Sequence, residues 1–405
     1  MKNVLRAAAS LAAFALLLIP NLLDAQCFGR DGKLHHLDGS SCTNSIITAV
    51  PFLRIVSDAR SGAMGDAGIA ISADANAIHF NASKLAFAEK DIAFAASYTP
   101  WLQSLGLNNA HLAYLTGYKK LNDRQTVGIG LRYFSPNQLQ IRNLNGQSLN
   151  TGSAHEFELA VAYARKLSDK FSAGLTGKII YSNLVDGLPL SSGGITSDGM
   201  AGAADISFTY ETPLTMQHWD SDLRIGLAFS NIGSKMTYTN SIDRDYLPTN
   251  LGLGVAWEVQ FNDLNGLTIT ADVNKLMVPT PCPVDGDCDQ NNNGRPDFKE
   301  YSPVAGIFKS FGDAPYGFYE EVRELMYAMG IEYWYDQRFA IRGGYFTENA
   351  RKGARQFFTA GLGLQYDILG FNLSYLLPSF SHRTPLDNTL RFSMLLGLNN
   401  NKLGD

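Results

Sequence analysis

From about Asp91 to Leu398 the chain repeats one pattern: stretches of roughly ten residues in which apolar side chains alternate with small or polar ones, the periodicity of a membrane-spanning β-strand. In one stretch Phe157, Leu159, Val161 and Tyr163 alternate with Glu156, Glu158, Ala160, Ala162 and Ala164. The first set suits lipid and the second a narrow interior. The same alternation returns in Val127, Ile129, Leu131 and Tyr133, in Leu325, Tyr327, Met329, Ile331 and Tyr333, and in Leu390, Phe392, Met394, Leu396 and Leu398. A water-soluble β-sandwich would alternate as well, so alternation alone does not fix the class.

The connections do. The periodicity reads as fourteen strands, near 91–99, 110–119, 124–133, 155–166, 170–181, 200–211, 221–231, 249–260, 266–276, 322–335, 337–347, 355–367, 370–377 and 388–398. Tight turns follow the even strands, whereas the odd strands lead into long connections such as 135–153 and 277–321. Outer-membrane barrels sort their loops this way, short turns to the periplasm and long loops outside. The expected fold is all-β: an antiparallel transmembrane β-barrel over 91–398, with a tail at 399–405, both termini periplasmic and the long loops extracellular. Tyr98, Trp101, Trp257, Trp334, Tyr335 and Tyr375 near strand ends match an interfacial aromatic girdle. Outside the N-terminus no apolar run reaches the roughly 18 residues a membrane helix needs, so strands must do the spanning.

The first 25 residues read as a signal peptide, with Lys2 and Arg6 ahead of an apolar core at 11–19 and a cleavage site after Ala25. Asp24-Ala25-Gln26 before Cys27 makes a poor lipobox. Export favours oxidised cysteines, so Cys27 is expected to pair with Cys42 and Cys282 with Cys288. A net charge of −5 with scattered basic residues gives no footprint for nucleic acid.

Residues 26–90 are too many for a simple leader. Between Ser61 and Ala70 they are dominated by small residues whose backbone can pack closely. A fourteen-stranded lumen would leak if empty, and a small-residue plug folded into it would close it. The candidate plug residues are Asp58, Arg60, Gly62, Met64, Gly65, Asp66 and Asn81. Asp58, Arg60 and Asp66 are expected to pair with interior charges such as Arg132, Glu156, Glu158 and Lys178.

The run from Pro51 to Gly68, with Ser97-Tyr98-Thr99-Pro100-Trp101-Leu102 and Leu131-Arg132-Tyr133-Phe134, resembles the PorV family of type IX secretion outer-membrane proteins, itself similar to the plugged fourteen-stranded FadL barrels. The likeness covers about 51–398. It implies a protein that is not an enzyme. It further implies a subunit that binds the C-terminal signal domain of cargo at the translocon barrel and shuttles it to a surface attachment complex with a sortase-like subunit. The FadL plug signature ends in Asn-Pro-Ala, whereas this chain has Asn81-Ala82-Ser83. Fatty-acid gating of the FadL kind therefore does not carry over. The alternative reading is a FadL-like transporter of hydrophobic compounds, which would need an apolar chamber under the external loops and a lateral opening in the wall.

The longest connection holds a second motif. Asp289, Asn291, Asn293, Gly294, Asp297 and Glu300 fit positions 1, 3, 5, 6, 9 and 12 of an EF-type calcium loop, the Arg295 carbonyl taking position 7. Oxygen-only ligands suit a hard cation, so Ca²⁺ is the candidate cofactor. No helix precedes the motif, which makes it an isolated loop. His35 and His36 lack a third ligand, and His79, His111 and His155 are isolated, so no catalytic constellation emerges. Phe134 to Asn137 and Ser310 to Glu321 are the loop stretches to probe for partner contact. The expectation for Phe311, Tyr316, Phe318 and Tyr319 is packing on the plug or on neighbouring loops.

Overall fold

The computed structural model describes residues 27–30, 33–36, 45–101, 110–142, 148–184, 196–215, 219–239, 244–282, 288–349, 351–378, 386 and 388–399. The signal peptide and Cys42, hence the Cys27–Cys42 pairing, lie outside them. Ahead of the plug, β1 (Cys27–Arg30) and β2 (Lys33–His36) form an antiparallel hairpin. The barrel strands are β3 (Ile92–Pro100), β4 (His111–Asn122), β5 (Gln125–Arg142), β6 (Ser148–Lys166), β7 (Phe171–Asn183), β8 (Gly199–Thr215) and β9 (Asp220–Gly233). They continue as β10 (Asn250–Asn262), β11 (Asn265–Leu276), β12 (Leu325–Tyr335), β13 (Phe339–Thr347), β14 (Gln356–Tyr366), β15 (Leu369–Pro378) and β16 (Leu390–Leu398).

Each strand pairs antiparallel with its neighbours in sequence, and β16 pairs with β3 to close the barrel. Closure leaves no edge strand, and in lipid every backbone polar group must be satisfied in this way. No helix among the described residues is long and apolar enough to cross a membrane. The side-chain sorting follows the sequence alternation. Leu159, Val161 and Tyr163 face outward, while Glu156, Glu158, Ala160, Ala162 and Ala164 are buried inside. Ile331, Phe392 and Met394 point out, and Glu332, Arg391 and Ser393 point in.

The short turns at 123–124, 167–170, 263–264, 336–338 and 367–368 all lie at one end. The long connections at 184–198, 234–249 and 277–324 lie at the other. Two expected boundaries move. Much of the 135–153 connection is strand, because β5 and β6 continue their pairing past a bulge between Phe134 and Asn137 until Arg142 meets Ser148. The 277–324 connection carries two short helices, Pro303–Lys309 and Phe318–Arg323, so β12 begins at Leu325.

The plug runs the height of the lumen. At the long-loop end Val50, Phe52 and Leu53 pack with Trp101, Leu112, Phe134, Met236 and Leu247. The Ala59–Ala63 helix then lies along the wall of β13 to β16. The chain descends through Ala77–Phe80 and the 3₁₀ segment Ala82–Phe87, which packs against β5 to β8, and enters β3 at the short-turn end.

Candidate functional site: a plugged lumen and an aromatic long loop

The plug is held by polar bonds that pair its backbone with side chains of the wall. Gly68 and Ile69 donate their N–H groups to one carboxylate oxygen of Asp272 at 2.7 and 2.9 Å. The Thr359 hydroxyl accepts from Gly65 N and donates to the Ala63 carbonyl, both at 2.8 Å. Ala59 N donates to Ser393 Oγ at 2.8 Å. Asn81 caps the segment after it, its Oδ1 accepting from Ser83 N at 3.1 Å, while its Nδ2 donates to Thr209 Oγ1 at 3.0 Å. Such pairing removes the cost of burying backbone polar groups away from water.

Charge pairs fix the same seam. Arg60 donates from Nε and Nη2 to the two oxygens of Glu332 at 3.0 and 2.8 Å, and Arg342 Nε reaches Glu332 from the wall at 2.6 Å. Asp66 pairs with Arg391 at 3.2 Å, and Arg391 also donates to the Gly62 carbonyl. The expected ion-pair partners are therefore corrected. Arg60 meets Glu332, Asp66 meets Arg391, and Asp58 makes no wall pair among the bonds observed. Asp58 is the N-cap of Ala59–Ala63, accepting from Ser61 N at 2.7 Å. Arg132, Glu158, Lys178 and Asp205 form a network within the wall, which touches the plug where Arg132 donates to the Leu53 carbonyl and meets His79. The Glu156 carboxylate accepts from Ser182 Oγ, on the neighbouring strand of the wall.

Glycines bring the two backbones together. Gly65 has φ +67°, and a Cβ there would strike the backbone of Tyr345 and Met329. On the wall side, Gly344 leaves room for Met64 and Gly65. Among the described residues, a cavity of about 110 Å³ between plug and wall is lined by Arg54, Asp66, His79, Asp272, Asn274 and Arg355 together with apolar side chains such as Leu53, Val56, Ile69 and Phe80.

The long loop has the opposite character. Phe308, Phe311, Tyr316, Phe318 and Tyr319 are exposed, Phe318 at 79% and Tyr319 at 83%. The expected packing of Phe311, Tyr316, Phe318 and Tyr319 on the plug or other loops is not found. In contrast Phe134 is buried and stacks on Phe52, with ring centroids 6.1 Å apart. Beneath the aromatic helices lies a charge cluster. Lys275 pairs with Glu321 and Glu324 at 3.0 and 2.5 Å, and Lys352 with Glu320 and Glu324 at 2.5 and 3.0 Å. Asp313 accepts from Thr280 N at 3.1 Å. Burial, reinforced by the nearby charges of Glu321 and Glu324, pushes its carboxyl up to about 6.

The EF-like motif folds back on itself in the same loop. Asp289 accepts from the N–H groups of Asn293 and Gly294 at 2.9 and 2.6 Å, and Asp297 from Gln290 N at 3.0 Å. Glu300 accepts from the side-chain amides of Asn291 and Asn293. Of the expected ligand side chains, Asn291, Asn293 and Glu300 are thus bonded to one another, with Gly294 at φ +81° making the turn. Among the described residues no three His, Cys, Asp or Glu side chains are gathered as a metal cluster, because the carboxylates here face amides. A cation would require the Asn291 and Asn293 amides to turn their oxygens inward. Cys282 and Cys288, ahead of the motif, are joined by a disulfide.

A family model described as type IX secretion system protein PorV matches residues 39–283. The chain belongs to the PorV family. The match takes in the whole plug and the barrel through β11. No curated protein sequence matches the chain. Among solved structures, the TodX deltaS2S3 mutant monoaromatic hydrocarbon channel aligns at 12% identity over 84% of this chain and 98% of that chain, TM-score 0.48. The Ralstonia pickettii toluene transporter TbuX aligns at 13% identity over 85% and 97%, TM-score 0.42. A Pseudomonas aeruginosa FadL homologue aligns at 11% over 88% and 100%, TM-score 0.43. This PorV-family chain keeps its seam residues on strands far apart in sequence. Asp272, Thr359 and Ser393 were not among its expected plug partners, and their only sequence signal is a polar residue at an inward position.

Proposed function

We propose that this PorV-family barrel is the subunit of a type IX secretion machine that binds the C-terminal signal domain of cargo at the translocon and shuttles it to the sortase-containing attachment complex. It works by binding and not by catalysis. The observation that carries the reading is the pairing of a polar, bolted lumen with an exposed aromatic loop. Tyr and Phe presented on short helices are the residue types that anchor protein interfaces. The transporter alternative needs an apolar chamber under the loops, whereas the cavity there holds only about 110 Å³, and Arg54, Asp66, Asp272 and Arg355 stand in it beside Leu53, Val56, Ile69 and Phe80. Long loops face outside in this reading, where they meet folded cargo.

The test is a pull-down from detergent-solubilised membranes. Co-purification of the translocon barrel or of a signal domain, lost on Phe318→Ala with Tyr319→Ala, is the expected result. Co-purified lipid with no protein partner would support transport instead. We also propose that Asp289, Asn291, Asn293, Asp297 and Glu300, with the Arg295 carbonyl, take up Ca²⁺ in the roughly 0.1–1 mM range of extracellular modules. Calorimetry with calcium should give heat that Glu300→Ala abolishes, and no heat in the unaltered protein would end the idea.

A further inference from the structure

The route of the plug has a topological consequence. The chain does not rise into the lumen from the short-turn end, where Leu398 closes the barrel against Ile92. It comes down from the long-loop end. Ala49 N donates to the Tyr246 carbonyl at 2.9 Å, in the connection between β9 and β10. Ile46 packs at the margin of a cluster formed by Leu276, Met326, Phe346 and Leu376, all at the long-loop ends of their strands. Arg54 lies 3.8 Å from Glu348, in the connection between β13 and β14. Residues 49–54 therefore span the mouth from one long connection to another. Past them Ile47 is 80% exposed and Ser45 is exposed. At the other end of the plug Thr126 Oγ1 donates to the Leu85 carbonyl, Lys166 sits over the Phe87 ring, and Asp91 N donates to Leu398 O, all beside the short turns.

We infer that the plug is threaded from the partner-facing side: residues 45–48 stand on the same face as the long loops, opposite to the face where β16 ends. With the long loops outside, the segment entering the plug would then be extracellular and only the end of β16 periplasmic. The threading also makes the strap at 49–54 part of the floor on which any partner of the long loops rests. Calling that face the cell surface rests on the outward placement of the long loops proposed above.

The experiment uses the full chain with its four native cysteines changed to Ser, and adds one reporter at a time: Ile47→Cys, Phe318→Cys on the long loop, or Gln337→Cys on a short turn. Heat-dependent gel mobility verifies that each variant is a folded barrel, and a protease site inserted at Ile47 in the native-cysteine chain is the second measurement. Intact cells and spheroplasts opened at the outer membrane are treated with a membrane-impermeant maleimide. Ile47→Cys should label under the same conditions as Phe318→Cys and opposite to Gln337→Cys. Labelling of Ile47→Cys with Gln337→Cys overturns the inference. If Phe318→Cys and Ile47→Cys label together but only in opened cells, the threading stands and the outward placement of the long loops is what fails.

Discussion

The seam between plug and wall and the tip of the 277–324 loop treat polar and apolar groups in opposite ways. In the seam polar groups are buried and partnered: Asp272 takes two backbone N–H groups, and Glu332 is shared by Arg60 and Arg342. On the loop it is aromatic side chains that stand in water, above a buried cluster of lysines and glutamates. Buried charge pairs and backbone-to-side-chain bonds favour one arrangement, although Asp272 Oδ1, Arg342 Nη2 and Arg391 Nε have no hydrogen-bond partner, whereas an exposed apolar patch gains by being covered. The difference fits the proposed division of roles, closure for the seam and contact for the loop.

The comparison breaks most visibly at Glu332. Replacing it by Ala leaves Arg60 and Arg342 buried without their shared carboxylate, a loss of about 3–5 kcal/mol. Expected are a lowered unfolding temperature of the detergent-solubilised barrel and entry of a large hydrophilic antibiotic into cells; an unchanged barrel that stays sealed would deny the pair its role. Gly344→Val should come next. Its added side chain would meet the Met64–Gly65 backbone, costing about 1–3 kcal/mol by overpacking and loosening the plug. Increased proteolysis within 59–70 would register it.

On the loop the signs reverse. Phe318→Ala with Tyr319→Ala should leave the unfolding temperature almost unmoved, within about 0.5 kcal/mol, since both rings are already in water. Partner capture should fall by about tenfold or more, as for interface anchors. A stability loss without a binding loss would make these rings packing residues after all.

The smallest effect concerns pH. Asp313 has a folded-state pKa raised from 3.8 to about 6, so the folded loop holds a proton that the unfolded chain has already released. This group's penalty is absent below 3.8, grows as pH rises from there, and is complete above about 6. Protection factors in 311–324, the exchange rates corrected for the intrinsic effect of pH, should therefore rise from pH 7 to pH 5, and Asp313→Asn should flatten that rise. An equal response in the variant would point to the neighbouring glutamates.

Much of this was legible because it is local. The alternation around Phe157 to Tyr163 determines which side chains face lipid, since a strand has no other way to place successive residues. The strand number, the sorting of short and long connections, and the small-residue plug follow from the same reading. What was misread depends on partners distant in the chain. Arg60 stood equally near several interior charges in sequence terms, and closure of the barrel chose Glu332, 272 positions away. Phe134 and Phe318 look alike as loop aromatics, yet one found Phe52 and the other found solvent.

The sequence alone determined that this protein is a plugged membrane barrel of fourteen strands, because period-two patterning and turn chemistry act over a few residues. Tertiary structure decided which wall residues hold the plug, from which end the chain enters it, and which aromatics remain uncovered. Those outcomes depend on how the closed sheet brings strands from both ends of the chain around one small-residue segment, and no local pattern encodes that geometry.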